Sequence, residues 1–578
     1  MTRPIPIGID DFRALREEGL VYVDKSHLVR ELLDAPGVQV VLLPRPRRFG
    51  KTLNLSMLRC FFEKRAEDLS PLFADLSIWQ AGATYRAHFQ RYPVIDFTFK
   101  GTKADSFDAC WAAIRTRIQA LFRHRYLLES DKLDEWEIRD YRAVADGSAD
   151  ETLFHRAFFD LSAYLHAHHG EKVVLLLDEY DEPIHAGHFH GYAPKILAAM
   201  RALFSDGLKG NQHLYRAVVT GILRVSTADM FSGADNIAVY SLLARQFNTC
   251  FGFTEPEVIA LLDRAGRPEG LAAVRSWYNG YLFGGEVIYN PWSVANYLQR
   301  QETPPRAYWV ATSSNDLVRE LLGRYAVRLE PVFETLLEGG SVERVLDENV
   351  VLEDLTRSEG ALWSLLVFTG YLKPEAAGVD ALEREVYRLS IPNREVREVY
   401  ATSFRAWLET GLTRAGGDLG RLTRAILEGD AERLEEQLQA FVTDLLSYQD
   451  PGVLDPERVY HGFVLGFLAV MEPDHLVRSN RESGAGRPDV TIRPRTPGKP
   501  GAVLELKVAR KGRKTPAAAL REGLAQIRAK GYDADLRAAG ASVVHAFAVA
   551  FDGKRVWVKA GGAAEKKAAK ARGRRKKR

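Results

Sequence analysis

Cysteine is nearly absent from these 578 residues: Cys60, Cys110 and Cys250 lie far apart, and no CxxC occurs. That excludes a disulfide scaffold or a cysteine-based zinc site and fits a reducing, cytoplasmic compartment. Long apolar runs are missing too, with no uninterrupted stretch of about 18 apolar residues. The opening Met1-Thr2-Arg3-Pro4-Ile5-Pro6 has no apolar core of a signal peptide. The expectation is a protein that is neither secreted nor membrane-spanning, with no membrane partner. No internal repeat is visible. Net charge is small, +3, but unevenly placed. Gly561 to Arg578 carries nine Lys/Arg against Glu565, a local +8 that leaves the rest of the chain at −5. With no large apolar residue this tail cannot bury a face, so disorder is expected, with either a solubilising role or contacts to polyanions.

What is present is globular: 46% hydrophobic and 27% charged residues. At roughly 150 residues per domain the length predicts about three or four domains. The fold class expected is α/β multidomain, divided at 1–253, 254–450, 451–560 and 561–578. In the first segment, apolar strands at Val38–Leu43, Tyr92–Phe99, Val173–Leu177 and Leu214–Ile222 alternate with helical patterns such as Thr52–Phe62. Continuous apolar strands separated by helices mean a parallel sheet covered on both faces. From 254 to 450 the pattern turns mostly helical, a lid or linker region, with Asn290-Pro291 as an N-cap followed by proline. Leu362–Leu372, Tyr387–Ile391 and Arg394 onward read as helix, strand, turn, helix, which fits a small winged-helix-like module. The third segment reads as a helix at Val459–Met471, strands at Leu476–Ser479, Asp489–Ile492 and Ala502–Val508, a helix at Ala517–Lys530 and a strand at Val543–Phe551.

Two constellations carry chemistry. Arg45-Pro46-Arg47-Arg48-Phe49-Gly50-Lys51-Thr52 follows a buried strand and opens a helix, where backbone N–H groups and the helix dipole favour phosphate. Gly50-Lys51-Thr52 fits the end of a P-loop, with Lys51 on the outer phosphates of ATP and Thr52 on Mg²⁺. Arg45, however, stands where the first glycine of GxxxxGK[ST] belongs. Asp178 and Glu179 end the strand that begins at Val173, placing Asp178 near the Mg²⁺ and Glu179 where it can orient an attacking water. Thr220 and Arg224, at the end of the next strand, fit a γ-phosphate sensor. The second constellation is Arg487-Pro488-Asp489 with Glu505-Leu506-Lys507, a PD-(D/E)XK pattern. Strand alternation puts Glu505 and Lys507 on one side and Leu506 into the core. Asp489 on a neighbouring strand then meets Glu505 around Mg²⁺, which prefers oxygen ligands, while Lys507 steadies developing charge. Glu482 is either a third carboxylate or a hairpin-loop residue.

The chain resembles bacterial AAA-ATPase-like proteins fused to a C-terminal PD-(D/E)XK nuclease domain. The likeness rests on Pro6-Ile7-Gly8-Ile9-Asp10-Asp11-Phe12, Tyr22-Val23-Asp24-Lys25, the stretch Arg45 to Leu58, and Leu177-Asp178-Glu179-Tyr180-Asp181. Tyr278-Asn279-Gly280-Tyr281 and Tyr289-Asn290-Pro291 belong to it as well. The resemblance implies that Arg45 is the family's own form of the loop, and that Gln526 occupies the place of a helper residue in the nuclease. It also implies endonuclease chemistry on nucleic acid, DNA ahead of RNA. Since the two sites sit in separate domains, Mg²⁺-dependent cleavage regulated by ATP is a further expectation; oligomeric state is left open. A rival class is a nucleotide-dependent switch that grips nucleic acid without cutting it. Another is a transcription regulator that uses the module near 387–399.

Overall fold

The computed structural model describes residues 4–35, 37–222, 236–300, 304–309, 329–337, 339–349, 358–414, 418–447, 471, 474–479, 488–509, 514–552 and 555–561. Arg224, Glu482, Arg487, the helix expected over Val459–Met471 apart from its last residue, and the basic tail beyond Gly561 lie outside the described residues. The chain divides into two compact units, one of residues 1–312 and 341–396, the other of residues 313–340 and 397–578. The region read as one helical middle is thereby shared between them.

In the first unit β1 (Val40–Pro44), β2 (Val94–Thr98), β3 (Val173–Asp178), β4 (Leu214–Gly221) and β5 (Ile237–Val239) form one sheet in the order β2-β3-β4-β1-β5. Every pairing in it is parallel. β1 and β3 are buried along their whole length, as continuous Val/Leu runs covered on both faces must be. α1 (Lys51–Phe62) leaves β1 through the Arg45–Gly50 loop, started by Gly50 in the left-handed conformation at φ 84°. The opening family-like motif braces this helix: Asp11 caps the helix Phe12–Glu17, and the Phe12 amide donates to Ser56 Oγ at 2.9 Å. In sheet order the carboxylate strand β3 is separated from β1 by β4. This brings Thr220 between the phosphate loop and Asp178.

The rest of this unit is less purely helical than its composition implied. β6 (Phe253–Thr254), β7 (Tyr281–Phe283) and β8 (Glu286–Tyr289) make a small antiparallel sheet, followed by α2 (Pro291–Gln299), which Asn290 caps through Ser293. β9 (Val342–Val345) joins the hairpin of β10 (Lys373–Val379) and β11 (Glu385–Ser390). The helix before that hairpin, α3 (Glu359–Phe368), is buried continuously from Ala361 to Phe368.

In the second unit β12 (His475–Ser479), β13 (Val490–Pro494), β14 (Gly501–Val508), β15 (Val544–Asp552) and β16 (Arg555–Gly561) form a sheet in chain order. Only β14 and β15 are parallel, joined through α4 (Pro516–Lys530), which packs on both. The sequence reading missed β16, a short edge strand. The Val556 and Val558 amides donate to Gln439 Oε1 at 2.9 Å and Glu435 Oε2 at 2.7 Å, so side chains of the helix Ala431–Ser447 cover this edge. Among the described residues no helix is long and apolar enough to cross a membrane.

Candidate functional sites

The first site lies where β1, β3 and β4 end. Lys51 is 7% exposed, and its Nζ donates back into the loop, to the carbonyls of Arg45 at 3.0 Å and Pro46 at 3.1 Å. Burial pulls its pKa down, against the pull of Asp178, Glu179 and Asp181. The two oxygens of Asp178 accept separate hydroxyls, Thr52 Oγ1 at 2.7 Å and Thr220 Oγ1 at 2.6 Å. Burial lifts the Asp178 pKa; those hydroxyls and Lys51 hold it down in part. Lys51, Thr52, Asp178 and Thr220 are thus brought together as their sequence positions implied. Thr52 and Asp178 are a hydroxyl–carboxylate pair that could hold a hard cation.

Glu179 sits in the left-handed region at φ 52°, a conformation that costs a non-glycine residue energy and that turns the chain sharply off β3. Burial first, then a hydrogen bond with Glu182, pushes its pKa up to about 7. Glu182 was not anticipated; it also accepts the Gly101 amide at 2.9 Å. The signal was present in the acidic run Asp178, Glu179, Asp181, Glu182 at the end of an apolar strand. Asp181 is 2% exposed and accepts the Ile222 amide at 2.9 Å, tying the ends of β3 and β4.

The arginines of the loop divide by role. Arg45 is fully buried, and its guanidinium donates to the carbonyls of Pro44, Tyr240 and Phe247 at 2.8, 2.7 and 3.0 Å. Its carbon lies 5.3 and 5.5 Å from the rings of Phe251 and Phe283. Its expected place among the phosphate ligands is therefore corrected: the side chain anchors the loop from beneath. The Phe49 side chain is likewise a core residue, 1% exposed and edge-on to Tyr281 at 5.0 Å. Arg47 is half-buried and Arg48 exposed, so theirs are the guanidinium groups near the loop that remain accessible.

The second site is on β13 and β14. Their ladder ends at the Val490–Leu504 pair, and beyond it the Asp489 carboxylate accepts the Leu506 amide at 2.7 Å. Lys507 Nζ donates to Glu505 Oε1 at 2.7 Å, so the two share a side of the strand as alternation requires. Leu506 is only half-buried, whereas Glu505 is 0% exposed. The expectation that Leu506 takes the core position is reversed because α4 covers the Glu505 face. A Cβ built at Gly523 on α4 would meet Ala548 Cβ at 2.9 Å and Glu505 Cβ at 3.6 Å, so glycine lets the helix close over the carboxylate. Burial and then the Asp489 charge raise the Glu505 pKa, and Lys507 and the Asp489 backbone amide oppose them. The second oxygen, Glu505 Oε2, is buried with no hydrogen-bond partner among the described residues. A buried orphan acceptor beside a second carboxylate needs a proton or a cation, and this donor set fits a hard divalent ion. Gln526, one turn beyond Gly523, makes a long 3.4 Å bond to Tyr532 Oη.

Residues 6–231 match a family model described as a predicted AAA-ATPase, and residues 455–561 match the PD-(D/E)XK nuclease superfamily. Over 564 residues the chain is 28% identical to an uncharacterized protein in the vnfD 5′ region of Azotobacter chroococcum mcd 1. That alignment covers 95% of this chain and 96% of the relative. No solved structure matches.

Proposed function

We propose that this chain, an AAA-ATPase-like domain joined to a nuclease domain of the PD-(D/E)XK superfamily, binds ATP with Mg²⁺ in the first unit and cleaves DNA with Mg²⁺ in the second. The nucleotide's phosphates occupy the Gly50 end of α1, and Lys51 turns from the loop carbonyls to the outer phosphates. Thr52 and Asp178 hold the cation, Thr220 lies beside the terminal phosphate, and Glu179 takes the proton of the attacking water.

In the second unit Asp489 and Glu505 hold the cation, which supplies positive charge to the scissile phosphate and acidifies water. Lys507 leaves Glu505 Oε1 to steady charge on the phosphate in the transition state, and Gln526 helps align the substrate. The observation that carries this reading is the buried Glu505 Oε2, without a hydrogen-bond partner among the described residues, on the strand to which Asp489 is tied through the Leu506 amide. ATP regulates cutting through a coupling free energy between the two units. The test is nicking of supercoiled plasmid by full-length protein with and without Mg²⁺ and ATP, alongside Glu505→Gln purified identically. Mg²⁺-dependent nicking lost in Glu505→Gln is expected. Equal nicking by the variant overturns the site, and ATP-dependent DNA binding without cleavage points to the switch.

A further inference from the structure

The family-like motifs Tyr278 to Tyr281 and Tyr289 to Pro291 have no part in the scheme above, yet they back the phosphate loop. Phe49 packs between Tyr281 and Phe283, at 5.0 and 5.2 Å between ring centroids. Pro46 lies against Gly370, where an added Cβ would approach Pro46 Cβ to 3.2 Å. Immediately after Asn290-Pro291 comes Trp292, in the first turn of α2, and the Arg48 guanidinium carbon lies 4.0 Å from its ring centroid. Tyr281, Phe283, Trp292 and Gly370 fall outside the stretch matched to the predicted AAA-ATPase, residues 6–231.

Arg48 combines several features. Its backbone is left-handed at φ 68°, a strained state for a non-glycine residue held only where the surroundings enforce it. The side chain is exposed, and none of its N–H groups donates to a described residue. A guanidinium resting on an aromatic ring uses its π-face, while its five N–H donors lie in its own plane and stay available for phosphate oxygens. Arg48 stands in the loop between β1 and α1, two residues before Gly50. Burial and then the Arg47 charge lower its pKa, and the Glu179 charge opposes them in part.

We infer that Trp292 is a positioning residue that holds Arg48 on its indole so that Arg48 reads the terminal phosphate and distinguishes ATP from ADP. This rests on the nucleotide-site reading and adds its specificity determinant. Without the indole platform the flexible arginine pays its ordering entropy on binding, and preference for the triphosphate falls.

The experiment is titration of the full-length protein with ATP and with ADP, both as Mg²⁺ complexes, by calorimetry. Variants are Arg48→Ala, Arg48→Lys, Trp292→Ala, Trp292→Phe and the double Arg48→Ala/Trp292→Ala. Expected is a loss of about tenfold in ATP affinity for Arg48→Ala and for Trp292→Ala, with ADP affinity kept. Arg48→Lys, without the planar fork, loses most of the same preference, and Trp292→Phe keeps it. The double variant loses no more than either single one. Should Trp292→Ala fail to fold, the Arg48 variants and Trp292→Phe still carry the test. An unchanged ATP-to-ADP ratio in Arg48→Ala and Arg48→Lys, or additive losses in the double variant, overturns the inference. Lys51→Ala separates the two levels: if it binds nucleotide like wild type, or wild type binds none, the nucleotide site itself fails and takes this inference with it.

Discussion

The two candidate sites solve the same electrostatic problem, a buried carboxylate, differently. At the end of β3, Asp178 has a hydroxyl on each oxygen, from Thr52 and Thr220, with buried Lys51 nearby. On β14, Glu505 has Lys507 on one oxygen and no hydrogen-bond partner among the described residues on the other; the Asp489 carboxylate adds like charge, which the Asp489 backbone amide offsets in part. The first arrangement is complete without a ligand, and hydroxyls and lysine must exchange partners when one arrives. The second carries a deficit that a proton or a cation fills. The nucleotide site should therefore respond mainly to geometry, and the C-terminal site to metal and pH.

The sharpest break of that comparison is Lys507→Ala. It removes a cation that acts on the phosphate and not on the metal, so cleavage should fall about a hundredfold or more. Mg²⁺ binding, followed by calorimetry, should persist or strengthen because Glu505 Oε1 is released. A variant that loses metal binding with its activity would show Lys507 to be a scaffold for the carboxylates. Next in size is Lys51→Ala, expected to weaken ATP binding about a hundredfold. Plasmid nicking without ATP should stay at the wild-type rate, since the lysine belongs to the other unit.

Smaller is a stability effect at Glu505. Its folded pKa is raised above the ordinary value, so the folded state binds the proton more tightly than the unfolded chain. Metal-free stability is then greatest below the unfolded value of 4.5 and declines as pH climbs toward the raised one. Glu505→Gln should unfold at a higher temperature than wild type at pH 8 without metal and lose that advantage near pH 4. Mg²⁺ should raise the melting temperature of wild type alone. Melting curves at the two pH values decide it, and a less stable variant at pH 8 would mean that the carboxylate is already compensated. Smallest is the pH profile of ATP hydrolysis. With Glu179 at about 7, the deprotonated base accumulates as pH rises through that value, so the rate should climb between pH 6 and 8. A profile already flat from pH 6 would remove Glu179 from that role.

Much of this was legible in the sequence because buried parallel strands are written as apolar runs. Val40–Pro44, Val173–Asp178 and Leu214–Gly221 fall within a residue or two of the expected bounds, and Gly50, Lys51, Thr52 and Asp178 with them. Spacing also placed Asp489 against Glu505, since the strand ends are fixed by the Pro/Gly loop between them. Short strands in the middle region escaped notice because runs such as Tyr281–Phe283 and Val342–Val345 are too brief to set a period. Side-chain direction escaped too. Nothing in Arg45-Pro46-Arg47-Arg48 tells which arginine turns inward, since that depends on carbonyls near Tyr240 and Phe247 far along the chain. The same holds for Trp292 and Glu182, whose partners are set by packing and not by spacing.

The inward turn of Arg45 has a consequence for how the chain acquires its shape. The loop around Lys51 is pinned by residues about two hundred positions further on, and Phe49 rests on Tyr281 and Phe283 later still. Such contacts close long stretches of chain and form late, after local helices and neighbouring strands. A polypeptide ending at residue 231, where the predicted AAA-ATPase match stops, would carry the phosphate-loop residues without β5 or any of these anchors. During synthesis the nucleotide pocket would thus mature only after residues near 292 have emerged. Competence to bind ATP would then report that this whole unit, and not its sheet alone, has folded.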